Sequence, residues 1–416
     1  MLTIKTSLKN HYSRLLPLLA VLGPGLIVAA SDNDAAGITT YSVAGAQFGY
    51  SFLWILLLIT FSLAITQEMG ARAGIVTGKG LASLLRERFG VKWTTFVLLT
   101  TMLANLGTTA TEFAGVAVSL EIAGISRYIS VPLAALLVYF LVTRGSYKRV
   151  ERIFLIISVV YLSYIVSGFL AHPDWSSVLE GTFIPSFRFD DTDFVLAFIA
   201  TVGTTITPWG QFFIQSYVVD KQLSPPELNY ERADVYTGAF FTNIVAAFII
   251  IACAATLWVT GQQIQDASDA AVALSPLAGR FAGLLFGLGL LNASLLGAAV
   301  LPMSSAYVLC EGLGFEAGID HSISEARWFY GIFTFFILFG GGFILLNFSL
   351  VAVSLISQTI NAIVLIPLLI FLLRLTNNEE IMGRYTNGRV FKFIAGVTIV
   401  FLIVLSVLLI VTTFVS

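Results

Sequence analysis

Asp32, Asn33 and Asp34 interrupt an apolar segment that begins near Leu15, and the small residues Ala36, Gly37, Thr39 and Thr40 follow them. A carboxylate at bilayer depth costs several kcal/mol unless it is paired, hydrated or bound to a cation. The chemistry expected of Asp34 is therefore that of a metal ligand. Its structural alternative is a cap on the free N–H groups of the next helical stretch. The helix is expected to break near Asp34 and Gly37, with freed carbonyls lining a polar cavity, because unpaired backbone is not tolerated against lipid. Asp32 and Asn33 either hydrate the pathway or bond within the bundle.

A second polar interruption lies at Gly203–Phe213, GTTITPWGQFF, where Pro208 and Gly210 stand among threonines inside another apolar run. Gln211 and Gln215, four apart, share one helical face and are expected to line the pathway or to join helices. Gln358 and Asn361, three apart, share a face in a later apolar run. Glu112 is buried by position, and a helix terminus or an arginine is its expected partner.

These residues need spans to hold them. The chain has 416 residues, 57% hydrophobic and 11% charged, with a mean hydropathy of +0.91. That is an all-α polytopic membrane protein rather than a soluble domain. Apolar runs centred near Ala30, Leu63, Leu106, Leu136, Val160, Gly203, Ala247, Leu296, Phe335, Ile360 and Ile403 predict 11 transmembrane helices. With the N-terminus inside, all but three (Arg127, Arg188 and Arg280) of the 22 basic residues fall on the inner side, and that bias fixes the predicted topology. Lys5, Lys9 and Arg14 precede the first span without a cleavage site for a signal peptide. The segment from His172 to Asp193 is acidic and is expected on the outer side, either as a cation-attracting vestibule or as a solvated loop.

Breaks in the first and sixth spans, five spans apart, predict an inverted 5+5 repeat with its site at the midplane between the broken helices. The expected organisation is a single transmembrane domain over 1–416. Within it, repeat 1 covers about 15–171, repeat 2 about 192–374, and an extra helix about 389–415. Glu68 and Arg72, four apart, read as a structural or gating ion pair. Cys253 and Cys310 lie in apolar runs and read as inert core residues. A net charge of −2 speaks against a nucleic-acid partner, and no HExxH, GxSxG or P-loop pattern marks an enzyme. The expected partners are a small cation and the lipid bilayer of the cell membrane, with the chain a monomer and no resident cofactor.

Gly23 and Pro24, then Asp34, then Ala44–Tyr50 (AGAQFGY) resemble the first helix of the NRAMP family of divalent-metal transporters. Thr108–Gly115, with Glu112, is similar to that family's Asp-Leu-Ala-Glu-Phe stretch, and Leu355–Gln358 to the segment that carries a site glutamine. The resemblance implies a LeuT-like fold and a metal set of Asp34, Gly37, Thr204 through its carbonyl, Thr207 and Gln358. Asp32, Asn33, Glu112, Trp209, Gln211 and Asn361 are then expected beside the pathway or behind the ligands.

The departures from the family pattern matter. Asp34–Gly37 reads Asp-Ala-Ala-Gly where the family has Asp-Pro-Gly-Asn, and Thr207, Pro208 and Trp209 stand for Met-Pro-His. Replacing a soft thioether by a hydroxyl favours a hard ion, and a roomier site suits magnesium, which keeps several of its waters. The pattern is similar to the NRAMP-related magnesium transporters. Trp209 and Ile214 occupy the family's two histidine positions, and Thr109 that of an acidic residue. Proton coupling is therefore not expected, and uptake driven by membrane potential is. A divalent ion gains about 4.6 kcal/mol per 100 mV, twice the value per charge. The competing readings are proton-coupled transport of manganese or iron, and an amino-acid or organic-solute symporter on the same fold.

Overall fold

The computed structural model describes residues 24–144, 158–188, 190–265, 267–319, 321–346 and 348–415. Gly23 and the basic residues Lys5, Lys9, Arg14, Lys148, Arg149 and Arg152 lie outside the described residues. Fourteen helices of nine residues or more carry the described chain. The first half runs α1 Pro24–Asp32, α2 Ala35–Phe48, α3 Leu53–Thr77, α4 Leu81–Glu121, α5 Arg127–Thr143, α6 Leu162–Leu170 and α7 Trp175–Phe183. The second runs α8 Thr192–Thr205, α9 Pro208–Asp220, α10 Leu228–Cys253, α11 Ala282–Leu313, α12 Arg327–Ile344, α13 Leu350–Thr376 and α14 Arg389–Val415.

The helix boundaries follow local chemistry. Gly78 and Gly314 end α3 and α11 in the left-handed region, each returning its N–H to a carbonyl four residues back. Inside α4 the backbone leaves helical geometry at Gly90 (φ 75°, ψ 175°), which separates a charged first stretch from the apolar remainder. The acidic segment is partly spent on capping. Asp174 caps α7 through the Ser176 amide, and Asp191 caps α8 through the amides of Asp193 and Phe194.

Six described helical segments are long and apolar enough to cross a membrane; they contain α3, α10, α11, α12, α13 and most of α14. The outer faces of these and of the shorter apolar helix α5 are apolar: Leu133 and Leu136 on α5, Phe335 and Leu338 on α12, and Val400 and Val404 on α14 are exposed. Such a surface suits hydrocarbon rather than water. The polarity runs the other way at the centre. In α2 every residue except Gln47 is buried, and α1, α2, α8 and α9 occupy the middle of the bundle. There α1 packs on α10, α2 on α8, α10 and α13, α9 on α3 and α11, and α8 on α13. Helices gain little from burying apolar surface against each other in lipid, so close approach of small residues must hold this centre. Cys253 and Cys310 are both buried and free.

Candidate metal site

The first helix does break, at Asn33 and Asp34. α1 stops at Asp32 and α2 starts at Ala35, with Asp34 in an extended conformation as its N-cap (φ −73°, ψ −178°). Asp34 Oδ1 accepts the Gly37 amide at 2.6 Å. The ligand reading and the capping reading of this carboxylate are thus not alternatives, because one carboxyl has lone pairs for both. Gly37 lies in the first turn of α2, beyond the break itself. A Cβ there would come within 2.7 Å of the Asp32 carbonyl, 3.3 Å of Asp34 Oδ1 and 3.5 Å of Thr204 Oγ1. The bare Cα is what lets these three oxygens converge.

The sixth-span interruption breaks the chain in the same way. α8 ends at Thr205 and α9 begins at Pro208, with Thr207 as N-cap accepting the Gly210 amide on Oγ1 at 3.2 Å. In a continuous helix the Thr204 carbonyl would accept from the amide of residue 208, but proline has none, so that oxygen stays available. A Cβ on Gly210 would sit 2.9 Å from Thr207 Oγ1 and 3.9 Å from Asp32 Oδ1. The C-terminal end of α1 therefore faces the N-terminal end of α9, and a bond from Tyr41 to Thr205 Oγ1 at 2.9 Å ties α2 to α8.

The other expected residues divide into groups. Asn33 donates to Thr242 Oγ1 on α10 at 2.7 Å, a bond within the bundle, and its Oδ1 has no hydrogen-bond partner. Glu112 meets a helix terminus: its Oε2 accepts the Ala35 amide at 3.4 Å. Its carboxyl also touches that of Asp34. Asn361 donates to Gln358 Oε1 at 2.7 Å and to Thr108 Oγ1 at 3.1 Å, which leaves the Gln358 amide nitrogen without a partner. Gln211 is fully buried, and neither end of its amide is hydrogen-bonded. Gln215 is tied instead to the Lys79 carbonyl at 2.9 Å. The Trp209 ring is wholly buried, and the Trp209 carbonyl accepts from Ser304.

Two partners escaped the sequence reading. Gln67 on α3 donates to Asp32 Oδ2 at 3.4 Å, while Asp32 Oδ1 has no partner. Gly297 on α11 makes room for Glu112, whose carboxylate a Cβ there would strike. Neither signal is local in sequence, so only the packing reveals it.

Donors at the two breaks are oxygens: carboxylates, hydroxyls and carbonyls. Among the described residues no lysine or arginine pairs with Asp32 or Asp34, and no cluster of three His, Cys, Asp or Glu side chains forms a metal cage. Asp32, Asn33, Asp34, Thr204, Thr207 and Gln358 are each at most 3% exposed, so the site is closed. Cavities open near opposite ends of α4. One of about 370 Å³ is lined by Ala114, Arg127 and Leu350, and one of about 400 Å³ by Lys79, Asp220 and Glu311.

At the end of α3 the expected Glu68–Arg72 pair forms at 3.0 Å. It is part of a larger network, since Arg232 reaches Glu68 at 2.8 Å and Arg72 also bonds the Tyr385 carbonyl and Asn387 Oδ1. α3, α10 and the segment before α14 are thereby tied together.

Comparisons with known proteins agree with this architecture. The family model Nramp, natural resistance-associated macrophage protein-like, matches residues 25–412. The divalent metal cation transporter MntH of Bacillus subtilis (strain 168) is 28% identical over 408 residues, covering 95% of this chain and 93% of that protein. The MntH of Vibrio campbellii is 29% identical over 397 residues, covering 92% and 90%. Among solved structures, the manganese transporter of Eremococcus coleocola superposes with a TM-score of 0.75 at 20% identity, covering 95% of this chain and 86% of that one. MhsT in complex with L-phenylalanine superposes at 0.64 with 15% identity, covering 92% and 98%. Both structural matches concern the fold alone.

Proposed function

The chain belongs to the Nramp family, and from that premise we propose that it carries divalent metal cations across the cell membrane, with a hard ion, Mg2+, as preferred substrate and Mn2+ also accepted. The observation that carries this reading is the pair of buried carboxylates, Asp32 and Asp34, that flank the break in the first helix opposite the break at Thr207, with no basic partner among the described residues. An amino-acid substrate would bring its own carboxylate to this gap and be repelled, whereas a cation is drawn in. The relatives' names as divalent metal cation transporters support the substrate class.

The preference for a hard ion rests on the donor set. Asp34, the Thr204 carbonyl and the Thr207 hydroxyl supply oxygen only, with neither thioether nor imidazole, and that favours magnesium over softer ions. Gln358 joins through a water. Few protein ligands and a small lining leave the ion part of its hydration shell. In this reading 11 spans, N-terminus inside, form two inverted five-helix repeats over about 15–171 and 192–374, with 389–415 appended. Alternating access then rocks the halves about a fixed site. Entry of a divalent ion is driven by membrane potential, about 4.6 kcal/mol per 100 mV.

One contact favours a second reading, proton-coupled transport of Mn2+. The Glu112 carboxyl lies against that of Asp34 and supplies a second acid beside the gap. Proteoliposomes separate the two. Mg2+ uptake under an inside-negative potential, without acidification of the lumen, is the expected result. Uptake of Mn2+ alone, unaffected by Mg2+ and accompanied by protons, would overturn the first reading.

A further inference from the structure

Asp34 divides its carboxylate between the cap of α2 and the gap, whereas Asp32 has an oxygen committed to nothing. Its Oδ2 is held by Gln67 Nε2 at 3.4 Å, and its Oδ1 is buried without a hydrogen-bond partner. That orphan oxygen and the Thr207 hydroxyl both border the position a Gly210 Cβ would take, at 3.9 and 2.9 Å. The Asp32 backbone carbonyl lies close to Asp34 Oδ1 through the bare Cα of Gly37.

The location is electrostatically poor for an anion with nothing to neutralise it. Asp32 is the last residue of α1, at the helix end where carbonyls already accumulate negative charge. Asp34, two residues on, places a second carboxylate at the same break. The N-terminus of α9 points toward Asp32, but the Gly210 amide there is already taken by Thr207. No described basic side chain pairs with Asp32. Burying a carboxylate in such surroundings is tolerated when a cation offsets it.

We propose that Asp32 is a second anionic ligand of the transported ion, its Oδ1 facing the metal directly or through one water. The two carboxylates then bracket the break in the first helix and match the charge of a divalent ion. The inference rests on the reading of this gap as the metal site. It adds that Asp32 rather than Asn33 completes the donor set, and that Gln67 positions it.

The test is Mn2+ titration of the purified full-length protein, wild type against Asp32→Asn and Asp34→Asn, with thermal melting of each. Asp32→Asn keeps the shape and the Gln67 contact, so it is expected to fold while weakening Mn2+ binding about 10- to 100-fold. Unchanged affinity in Asp32→Asn together with lost binding in Asp34→Asn would overturn the role of Asp32 and leave the site reading standing. Unchanged affinity in both variants would overturn both. Should Asp32→Asn fail to fold, the anomalous signal of Mn2+ in wild-type crystals decides. A peak within about 5 Å of Asp32 Oδ1, the reach of a ligand or a single bridging water, is expected, and a peak farther away overturns the proposal.

Discussion

Asp34 Oδ1 accepts the Gly37 amide at 2.6 Å at the start of the second half of the broken helix, so the carboxylate proposed to hold the ion also starts α2. Binding and folding share one side chain and are separable by chemistry. Asp34→Asn retains an acceptor oxygen for the cap but loses the charge. It should melt near the wild-type temperature and bind no Mg2+ in a calorimetric titration. Asp34→Ala should lose the cap as well, at about 1 kcal/mol, seen as a lower melting temperature.

Thr207 stands at the matching position on α9, where its hydroxyl caps the helix through Gly210. Thr207→Ser should preserve both the cap and the hard donor, and with them the ratio of Mg2+ to Cd2+ uptake. Thr207→Met places a soft thioether at the gap and should shift competition in proteoliposomes toward Cd2+ and Mn2+. It should also cost about 1 kcal/mol of stability for the lost cap. An unaltered selectivity ratio would remove Thr207 from the donor set.

The bare Cα atoms of Gly37 and Gly210 keep the gap open. A Cβ at Gly37 would lie 2.7 Å from the Asp32 carbonyl, and one at Gly210 would lie 2.9 Å from Thr207 Oγ1. Gly37→Ala is therefore expected to destabilise by about 1–3 kcal/mol, as overpacking does. Gly210→Ala should disturb the Thr207 cap and lower Mn2+ affinity with a smaller effect on melting. Thermal melts and Mn2+ titrations of the two variants check this.

Glu68 is 1% exposed and pairs with both Arg72, itself buried, and Arg232, whose side chain is 37% exposed. Removing one partner of a buried ion pair strands the other charge, at about 3–5 kcal/mol. Glu68→Gln should thus sharply lower the melting temperature in detergent. Arg232→Ala should lower it little, since its solvated charge contributes under about 1 kcal/mol.

In the segment between α6 and α8, Asp174 is held below the usual carboxylate range, chiefly by the hydroxyl of Ser176 and then that of Ser177. A depressed folded value means that its contribution is present above the unfolded value of about 4 and is lost as pH falls through the folded one. The protection factors of the amides at the start of α7, with the intrinsic pH dependence of exchange divided out, should therefore be flat from pH 8 to 5 and fall only in stronger acid. Asp174→Asn should remove that acid dependence.

Much of the site was legible because it violates a local rule. Carboxylates at bilayer depth and a proline after Ile-Thr each forecast a break, and both breaks occur within a residue or two of the expected positions. The expected ion pair of Glu68 and Arg72 also forms, since four-residue spacing on a helix is enough to predict it. What sequence could not separate was the fate of three consecutive polar residues where helical periodicity lapses. Asn33 finds Thr242 and Asp32 finds Gln67, contacts made by helices far apart in the chain. Similarly, nothing local tells that Gln215 ties to the Lys79 carbonyl while its neighbour Gln211, one turn earlier, stays unpartnered. The kink of α4 at Gly90 lies in a charged stretch where no hydropathy signal marks it.

Uptake of Mg2+ into proteoliposomes at imposed membrane potential, wild type beside Asp34→Asn, tests the central claim most directly. The account predicts wild-type uptake that rises as the interior is made more negative and falls to background in Asp34→Asn. Mg2+ uptake that is equal in the two proteins, or absent from wild type while Mn2+ is carried, would contradict it.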